Sequence, residues 1–307
     1  MKIRLGTRGS RLARIQSADV AARLTARGHD CEIVVIATTG DRVTDRGFSD
    51  VGPFGVFVRE IESSLIDNRI DAAVHSYKDL PSLQHPGLAI AAVPERLDVA
   101  DVLLIHPDAV ADEIAGVPLR PGALVGTSAS RRTALIKAAR PDLAVALLRG
   151  NVPTRIAALV ERRYDAIVLA AAGLARLEHA AAPGESVTAG MRMVRLEPSV
   201  FVPAPAQGAV AVQVRRTDTA VRDAVAAIDD ARIAATIHAE RTILGLAEAG
   251  CTLPFGAWCR DDAGTLHLFA VLGDEHGDIA RAEATGAEPE AVASNAWQQL
   301  SHAVLRR

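Results

Sequence analysis

Short apolar runs alternate along the chain with stretches whose apolar residues recur every three to four positions. KIRLGT, CEIVVIAT, DAAVH, LAIAAV and DVLLIH have the length and composition of strands. Between the first three lie SRLARIQSADVAARLTARG, an amphipathic helix closed by a glycine, and PFGVFVREIESSLIDNR, a second helix. This β–α–β–α–β order predicts a mostly parallel sheet. A second set of the same kind begins near residue 101, with ALVGTSA, LAVALL and DAIVLAAAG as strands and SRRTALIKAAR and VPTRIAALVERR as helices. The two sets are alike in pattern and unlike in sequence. PSVFVPAPAQGAVAVQVR, residues 198–215, breaks the rhythm with three prolines and then a strand, and is compatible with a return to the first set. From about residue 229 the pattern changes to a long helix, ARIAATIHAERTILGLAEAG, a hairpin from LHLFAVLG and DIARAEATG, and a last helix, EAVASNAWQQLSHAVLRR, which together predict a small α+β domain.

Composition narrows the class. The chain has 307 residues, 49% hydrophobic and only 3% aromatic, enough for aliphatic cores in two or three domains. Charged residues make up 23% and the net charge is -3, so neither disorder nor a global nucleic-acid surface follows. Three cysteines, Cys31, Cys251 and Cys259, form no disulfide framework, and the spacing CTLPFGAWC is too long for a redox or zinc knuckle, so no metal site is expected. The N-terminus lacks an apolar signal region and no run of about 18 apolar residues occurs. A reducing cytoplasm, with no membrane and no nucleic acid as partner, is the expectation.

The distribution of charge says more than its sum. Residues 126–176 hold nine Lys or Arg against three acids, a net +6 inside an otherwise acidic chain, which points to a local anion site. Three strand-to-helix junctions carry arginine: GTRGS (6–10), GTSASRR (126–132) and RGNVPTR (149–155). Free N–H groups at helix starts attract anions, and arginine grips carboxylate or phosphate with two parallel hydrogen bonds. No P-loop pattern is present. VHSYKDLP, residues 74–81, ends a buried-looking strand in a Lys78–Asp79 pair, where α/β proteins hold their chemistry. His75 reads as a core histidine. Cys251, in the loop AGCTLPFG, has the setting of a reactive thiol, although a lone cysteine is more often structural, as Cys31 and Cys259 read. Residues 42–55, charged and glycine-rich, read as a loop able to act as a lid.

Taken together, GTRGS, VHSYKDLP, VGTSASRR, LRGNVPTR, DAIVLAAAGLARL, PAPAQGAVAVQVR and AGCTLPFG resemble the porphobilinogen deaminases, over the length of the chain. The resemblance implies an α/β fold of two type II periplasmic-binding-protein-like lobes with mostly parallel sheets, an active cleft between them, and a small α+β C-terminal domain. Mapped on this chain, residues 1–98 and 205–226 form the first lobe, 101–203 the Arg-rich second lobe and 229–307 the cofactor-anchoring domain. It implies a transferase that condenses four porphobilinogen molecules, with loss of ammonia, onto a dipyrromethane cofactor held by a thioether to Cys251, and then releases hydroxymethylbilane. Asp79 matches the catalytic aspartate, which stabilises cationic azafulvene intermediates. Lys78, Arg131, Arg132, Arg149, Arg155, Ser10, Thr127 and Ser128 match cofactor-binding positions. Arg8, Arg176, Gln207 and Arg215 match positions that bind substrate. Each pyrrole carries an acetate and a propionate, and these account for the many arginines. The resemblance also implies a monomer and allows handover of the product to the next enzyme of the pathway.

The chain departs from the family at Phe54 and Arg59, where lysine is common, and at Ala129, where a serine is usual. Two other readings fit the lobes alone. A solute-binding module would have an export signal and no use for a loop cysteine in a third domain. A regulator's effector domain would come with a helix-turn-helix module, and no such pattern flanks the lobes.

Overall fold

Strand β1 (Lys2–Arg8) shows why this chain's strands lack simple alternation. Ile3 and Leu5 pack under Val20 and Leu24 of helix α1 (Arg11–Thr25), while Val34 and Ile36 of β2 (Asp30–Ile36) pack with Ile61 and Leu65 of α2 (Arg59–Ile66). A sheet covered on both faces buries consecutive residues, and β3 (Ala72–Ser76) is buried from Ala72 through His75. The computed structural model describes residues 1–37, 58–247, 253–274 and 277–305. Cys251, Phe54 and the expected lid at 42–55 lie outside them.

The chain divides into two compact units, Met1–Leu97 with Gln207–Ala235, and Asp98–Ala206 with Thr236–Arg307. In the first, the sheet is completed by β4 (Leu88–Ala92) and β12 (Val210–Arg215), in the order β2-β1-β3-β12-β4. β1 is parallel to β2 and β3, and β12 is antiparallel to β3 and β4, so one strand is reversed. Helix α6 (Thr219–Ala226) packs Val221 and Val225 into the core with α1.

The second unit contains β5 (Asp101–Ile105), the small hairpin β6 (Val110–Ile114) and β7 (Val117–Leu119), β8 (Leu124–Thr127), α3 (Ser130–Ala139), β9 (Ala144–Leu147), α4 (Val152–Val160), β10 (Ala166–Ala170), α5 (Ala171–His179) and β11 (Arg192–Arg195). Its main sheet runs β11-β5-β10-β8-β9, with β8 parallel to β9 and β10, and β5 antiparallel to β10 and β11. The order and directions repeat those of the first sheet. The reversed strand follows the parallel trio along the chain in the first sheet and precedes it in the second, so the repeat is spatial and permuted.

The same unit continues from Thr236 in helix α7 (Ala231–Leu246), then β13 (Phe255–Asp262), β14 (Thr265–Gly273), β15 (Ile279–Gly286) and α8 (Pro289–Leu305). The three strands form an antiparallel sheet. One face packs Ala257, Leu268, Ala270 and Ala282 against Ile243 of α7 and Ala293 and Ala296 of α8. The other presents Val271, Trp258 and Phe269 to Leu135 and Ile136 of α3. Trp258 and Phe269 stack with centroids 5.2 Å apart.

Several elements differ from the periodic reading. DAIVLAAAG is not one strand: β10 stops at Ala170 and α5 begins at Ala171, because alanine favours helix and Leu174 and Leu177 there bury on one side. DVLLIH does not extend the first set but heads the second unit as its reversed strand. β11, β13 and the β6–β7 hairpin carry little signal of their own, since they are strands by virtue of the partners they pair with.

Candidate active site

The carboxyl ends of parallel strands and the amino end of the reversed strand share one edge of each sheet. In the first unit that edge collects Arg8 at the end of β1, Ser10 just beyond it, Lys78 and Asp79 after β3, and Gln207 before β12. The register, Val210 opposite Ser76, brings the two latter segments together. Lys78 Nζ donates to Gln207 Oε1 at 3.1 Å, and Arg96 Nε donates to the Gln207 carbonyl at 3.1 Å. Gln207 is fully buried, so the lysine is steered from below.

Asp79 ends the 3-10 turn Tyr77–Asp79, which is tied down by Tyr77 N–H to Ala209 O and Leu80 N–H to Tyr77 O. Leu80 is buried and Asp79 is exposed. The buried leucine anchors the turn and the aspartate projects from it. Among the described residues nothing pairs with the Asp79 carboxylate. Ser10 caps α1, its Oγ accepting from Ala13 N–H at 3.3 Å, which leaves its own proton to donate. Ser76 Oγ donates to the buried Gln16 Oε1 at 3.0 Å, holding α1 against the end of β3. His75 is buried, and desolvation, assisted by the nearby Arg8 charge, pushes its imidazole down to about 4, so it is neutral at pH 7.

Arg215 is not part of this group. It ends β12 beside Leu88, at the opposite edge of the sheet. Its guanidinium donates to the carbonyls of Leu65 (2.9 Å) and Ile70 (2.6 Å) and pairs with Asp218 (2.8 Å) and Asp71 (3.4 Å). Through these contacts Arg215 staples α2, the entry to β3 and the turn before α6, away from the edge that collects Lys78 and Asp79.

In the second unit the corresponding edge carries Thr127 and Ser128 after β8, Arg149 and Arg155 after β9, and Arg176 on α5 after β10. Thr127 is buried and its Oγ1 accepts from Ala129 N–H at 3.2 Å, whereas Ser128 is exposed. Arg149 is exposed, and Arg176 is buried. Arg155 Nε donates to Gly150 O at 2.7 Å. Gly150 has φ +108°, where a side chain is strained, and Asn151 caps α4 by accepting from Thr154 N–H at 3.0 Å.

Arg131 and Arg132 open helix α3, whose N-cap residue, Ala129, makes no side-chain cap. Both are buried, and between them lies Asp101, a residue the motif reading missed. Asp101 is 0% exposed; Arg131 Nη2 reaches its Oδ2 at 2.8 Å and Arg132 Nη2 its Oδ1 at 2.7 Å. Arg131 Nη1 also donates to Val202 O at 2.7 Å and Arg132 Nη1 to Val168 O at 2.9 Å. Burial pulls the Arg131 guanidinium below its ordinary pKa and the Asp101 charge opposes that pull. The signal for Asp101 was a lone acid at the head of the apolar run DVLLI. Gly256 completes the Arg131 surroundings: a Cβ there would lie 2.8 Å from Val202 O and 3.0 Å from Arg131 Cδ.

Part of the +6 segment serves structure instead. Arg140, 2% exposed, donates to the carbonyls of Val117 and Leu119 and pairs with Asp142, while Arg162 pairs with Asp108 and Arg163 with Glu161. Glu240, another buried acid missed in sequence, accepts from Ala206 N–H (2.7 Å) and Cys259 N–H (2.6 Å). Among the described residues no group of three or more His, Cys, Asp or Glu could hold a metal ion, and no helix is long and apolar enough to cross a membrane.

Residues 3–223 match the family model "Porphobilinogen deaminase, dipyromethane cofactor binding domain". Porphobilinogen deaminase of Oceanobacillus iheyensis is 42% identical over 302 residues, spanning 97% of this chain and 94% of its own. Those of Acidothermus cellulolyticus (41%; 99% and 88% covered) and Lachnospira eligens (40%; 98% and 99% covered) are similarly close. Among solved structures, the periplasmic VFT2 domain of Bordetella pertussis BvgS has a TM-score of 0.44 at 15% identity, covering 74% of this chain and 86% of its own. So remote a likeness says nothing about what the chain binds. With a family model over most of its length and full-length relatives near 40% identity, the chain belongs to the porphobilinogen deaminase family, enzymes of tetrapyrrole synthesis.

Proposed function

We propose that the chain condenses four porphobilinogen molecules, each losing ammonia, onto a dipyrromethane group attached through a thioether to Cys251, and releases hydroxymethylbilane. The observation that carries this is Asp79: a carboxylate free of partners among the described residues, projecting from an anchored turn at the carboxyl edge of a sheet, beside a lysine steered by Gln207. A fixed carboxylate beside a developing cation lowers the barrier to forming it. Asp79 would accept hydrogen bonds from pyrrole N–H groups, stabilise the azafulvene cation formed on the substrate as ammonia leaves, and in protonated form could deliver a proton to the departing amine.

The residues suit a carboxylate-rich cofactor. Two buried guanidiniums share one Asp101 carboxylate, which leaves a positive charge that a ligand carboxylate would balance. When bound, the dipyrromethane supplies the terminal pyrrole carbon from which the chain grows. Arg131, Arg132, Arg149, Arg155 and Lys78 hold its carboxylates, and Ser10, Thr127 and Ser128 add hydrogen bonds. Arg8, Arg176 and Gln207 orient the incoming substrate.

The reading includes three domains, at residues 1–98 with 205–226, 101–203 and 229–307. The separate apolar cluster of β13–β15 with α7 and α8 supports the third. It also includes a cytoplasmic monomer that can hand its product to the next enzyme, which the family resemblance supports.

The intact mass of the denatured protein tests the proposal. A gain equal to two condensed porphobilinogen-derived rings, absent from Cys251→Ser, is the expected result. A chain that stays unmodified after incubation with porphobilinogen or hydroxymethylbilane would refute it.

A further inference from the structure

We infer that Asp101 is a positioning residue, which holds Arg131 and Arg132 in one fixed orientation and sets their seat to take a single ligand carboxylate. The inference rests on the proposed role of the two arginines. Asp101 is placed rigidly: it opens β5 opposite Ala170, and its carbonyl accepts Leu196 N–H at 2.9 Å. Its two oxygens go to different guanidiniums, Oδ2 to Arg131 and Oδ1 to Arg132. Each arginine is fastened at its far end to a backbone carbonyl, of Val202 and Val168 respectively. Arg132 is hydrogen-bonded to Asp101 and to Val168 O, and Arg131 is held between its ion pair with Asp101 and its hydrogen bond to Val202 O, which restricts both guanidiniums and the directions of their remaining N–H donors.

Charge fixes the stoichiometry. Arg131 is 5% exposed, Arg132 6% and Asp101 0%. Two cations and one anion in such a place leave a single positive charge, and buried charge demands a partner. One carboxylate satisfies it; a second would restore the imbalance with the opposite sign. Both arginines belong to the first turn of α3, where the helix dipole adds to the pull on one anion.

Asp101→Asn removes the charge and keeps the shape. With the orientation lost and the seat at two positive charges, the dipyrromethane group binds less well, and porphobilinogen, which is added to that misplaced group, is taken up less well in turn. Sulfate, which needs no particular orientation, binds better. The expected result in folded protein is a KM for porphobilinogen raised at least tenfold, a smaller fraction of molecules carrying the added mass, and a half-inhibiting sulfate concentration lowered at least threefold. A folded Asn variant with unchanged KM, mass and sulfate inhibition would make Asp101 purely structural and overturn the inference.

Should that variant not fold, Asp101→Glu keeps the charge and shifts the carboxylate by one methylene. Raised KM with unchanged sulfate inhibition then supports the inference and unchanged KM overturns it. If neither variant folds, Asp101 is a folding residue and the inference falls. Arg132→Leu, measured alongside, separates the two levels. A normal mass and KM there would sink the arginine reading itself. An impaired Arg132→Leu beside a normal Asp101→Asn would sink this inference alone.

Discussion

Lys78 and Gln207 are 129 positions apart, and their side chains meet at 3.1 Å between Nζ and Oε1. The contact joins VHSYKDLP to PAPAQGAVAV through the antiparallel pairing of β3 with β12. It holds the ammonium at the sheet edge beside Asp79. A hydrogen bond to a charged group contributes about 1.5–3 kcal/mol. Gln207→Leu should lower kcat/KM for porphobilinogen by about tenfold or more, a factor that follows from that energy, and Gln207→Glu should restore most of it by pairing with the lysine. Steady-state kinetics on both variants provide the check.

Asp79→Ala should leave the mass gain and the melting temperature unchanged, because the side chain is exposed and supports no packing. Turnover should fall by about 100-fold or more, the usual effect of removing a preorganised electrostatic group. Single-turnover measurement of ammonia release reads this step directly, and near-normal release would remove Asp79 from its assigned role.

Arg215→Leu should act on stability and not on substrate binding. It frees the carbonyls of Leu65 and Ile70 and breaks the ion pair to Asp218, while Asp71 keeps Arg4 as its main partner. Breaking such a partly buried network costs about 2–4 kcal/mol. Urea unfolding should show the loss, and KM in the folded fraction should match the parent.

His75 makes the first unit acid-sensitive. Its folded-state value, about 4, lies below the unfolded value of 6.5, so the unfolded chain binds the proton more readily between these limits. The stability contribution is therefore complete above pH 6.5 and is lost as pH falls toward 4, a change of about 3 kcal/mol at one pKa unit per 1.4 kcal/mol. His75→Asn should flatten the melting-temperature profile across that window. An unchanged slope would mean that other groups govern it.

Gly256→Ala should disturb the Arg131 seat. The added methyl would lie 2.8 Å from Val202 O, closer than real contacts allow, and 3.0 Å from Arg131 Cδ, tight enough that the side chain must give. Overpacking of this kind costs about 1–3 kcal/mol. The fraction of molecules carrying the added mass should fall with it, measured on protein that remains folded at low temperature.

Much of the first sheet could be read along the chain, because burial on both faces turns strands such as AAVH into unbroken apolar runs and leaves α1 its amphipathic face. The motif residues at strand ends were legible for a related reason: Ser10, Asn151 and the first-turn arginines stand where a helix must begin, and helix starts depend on neighbours within a few positions. Strands β11 and β13 were not, since RMVR and FGAWCRDD become strands only beside β5 and β14. The motif pattern likewise gave Arg215 the same standing as Arg8, though they face opposite edges of the sheet.

By itself, then, the sequence determined the family, the alternating α/β plan and the polar residues at the strand ends, because these depend on local periodicity and on contiguous motifs. Only the tertiary structure decided which charges work together. Asp101 meets Arg131 and Arg132 across 31 residues or so of chain, Lys78 meets Gln207 across 129, and Arg215 is drawn away to Asp71 and Asp218. Such pairings are made by strand order and register, which bring distant residues to a common edge, and a charged residue carries no mark in its own neighbourhood of the partner it will find there.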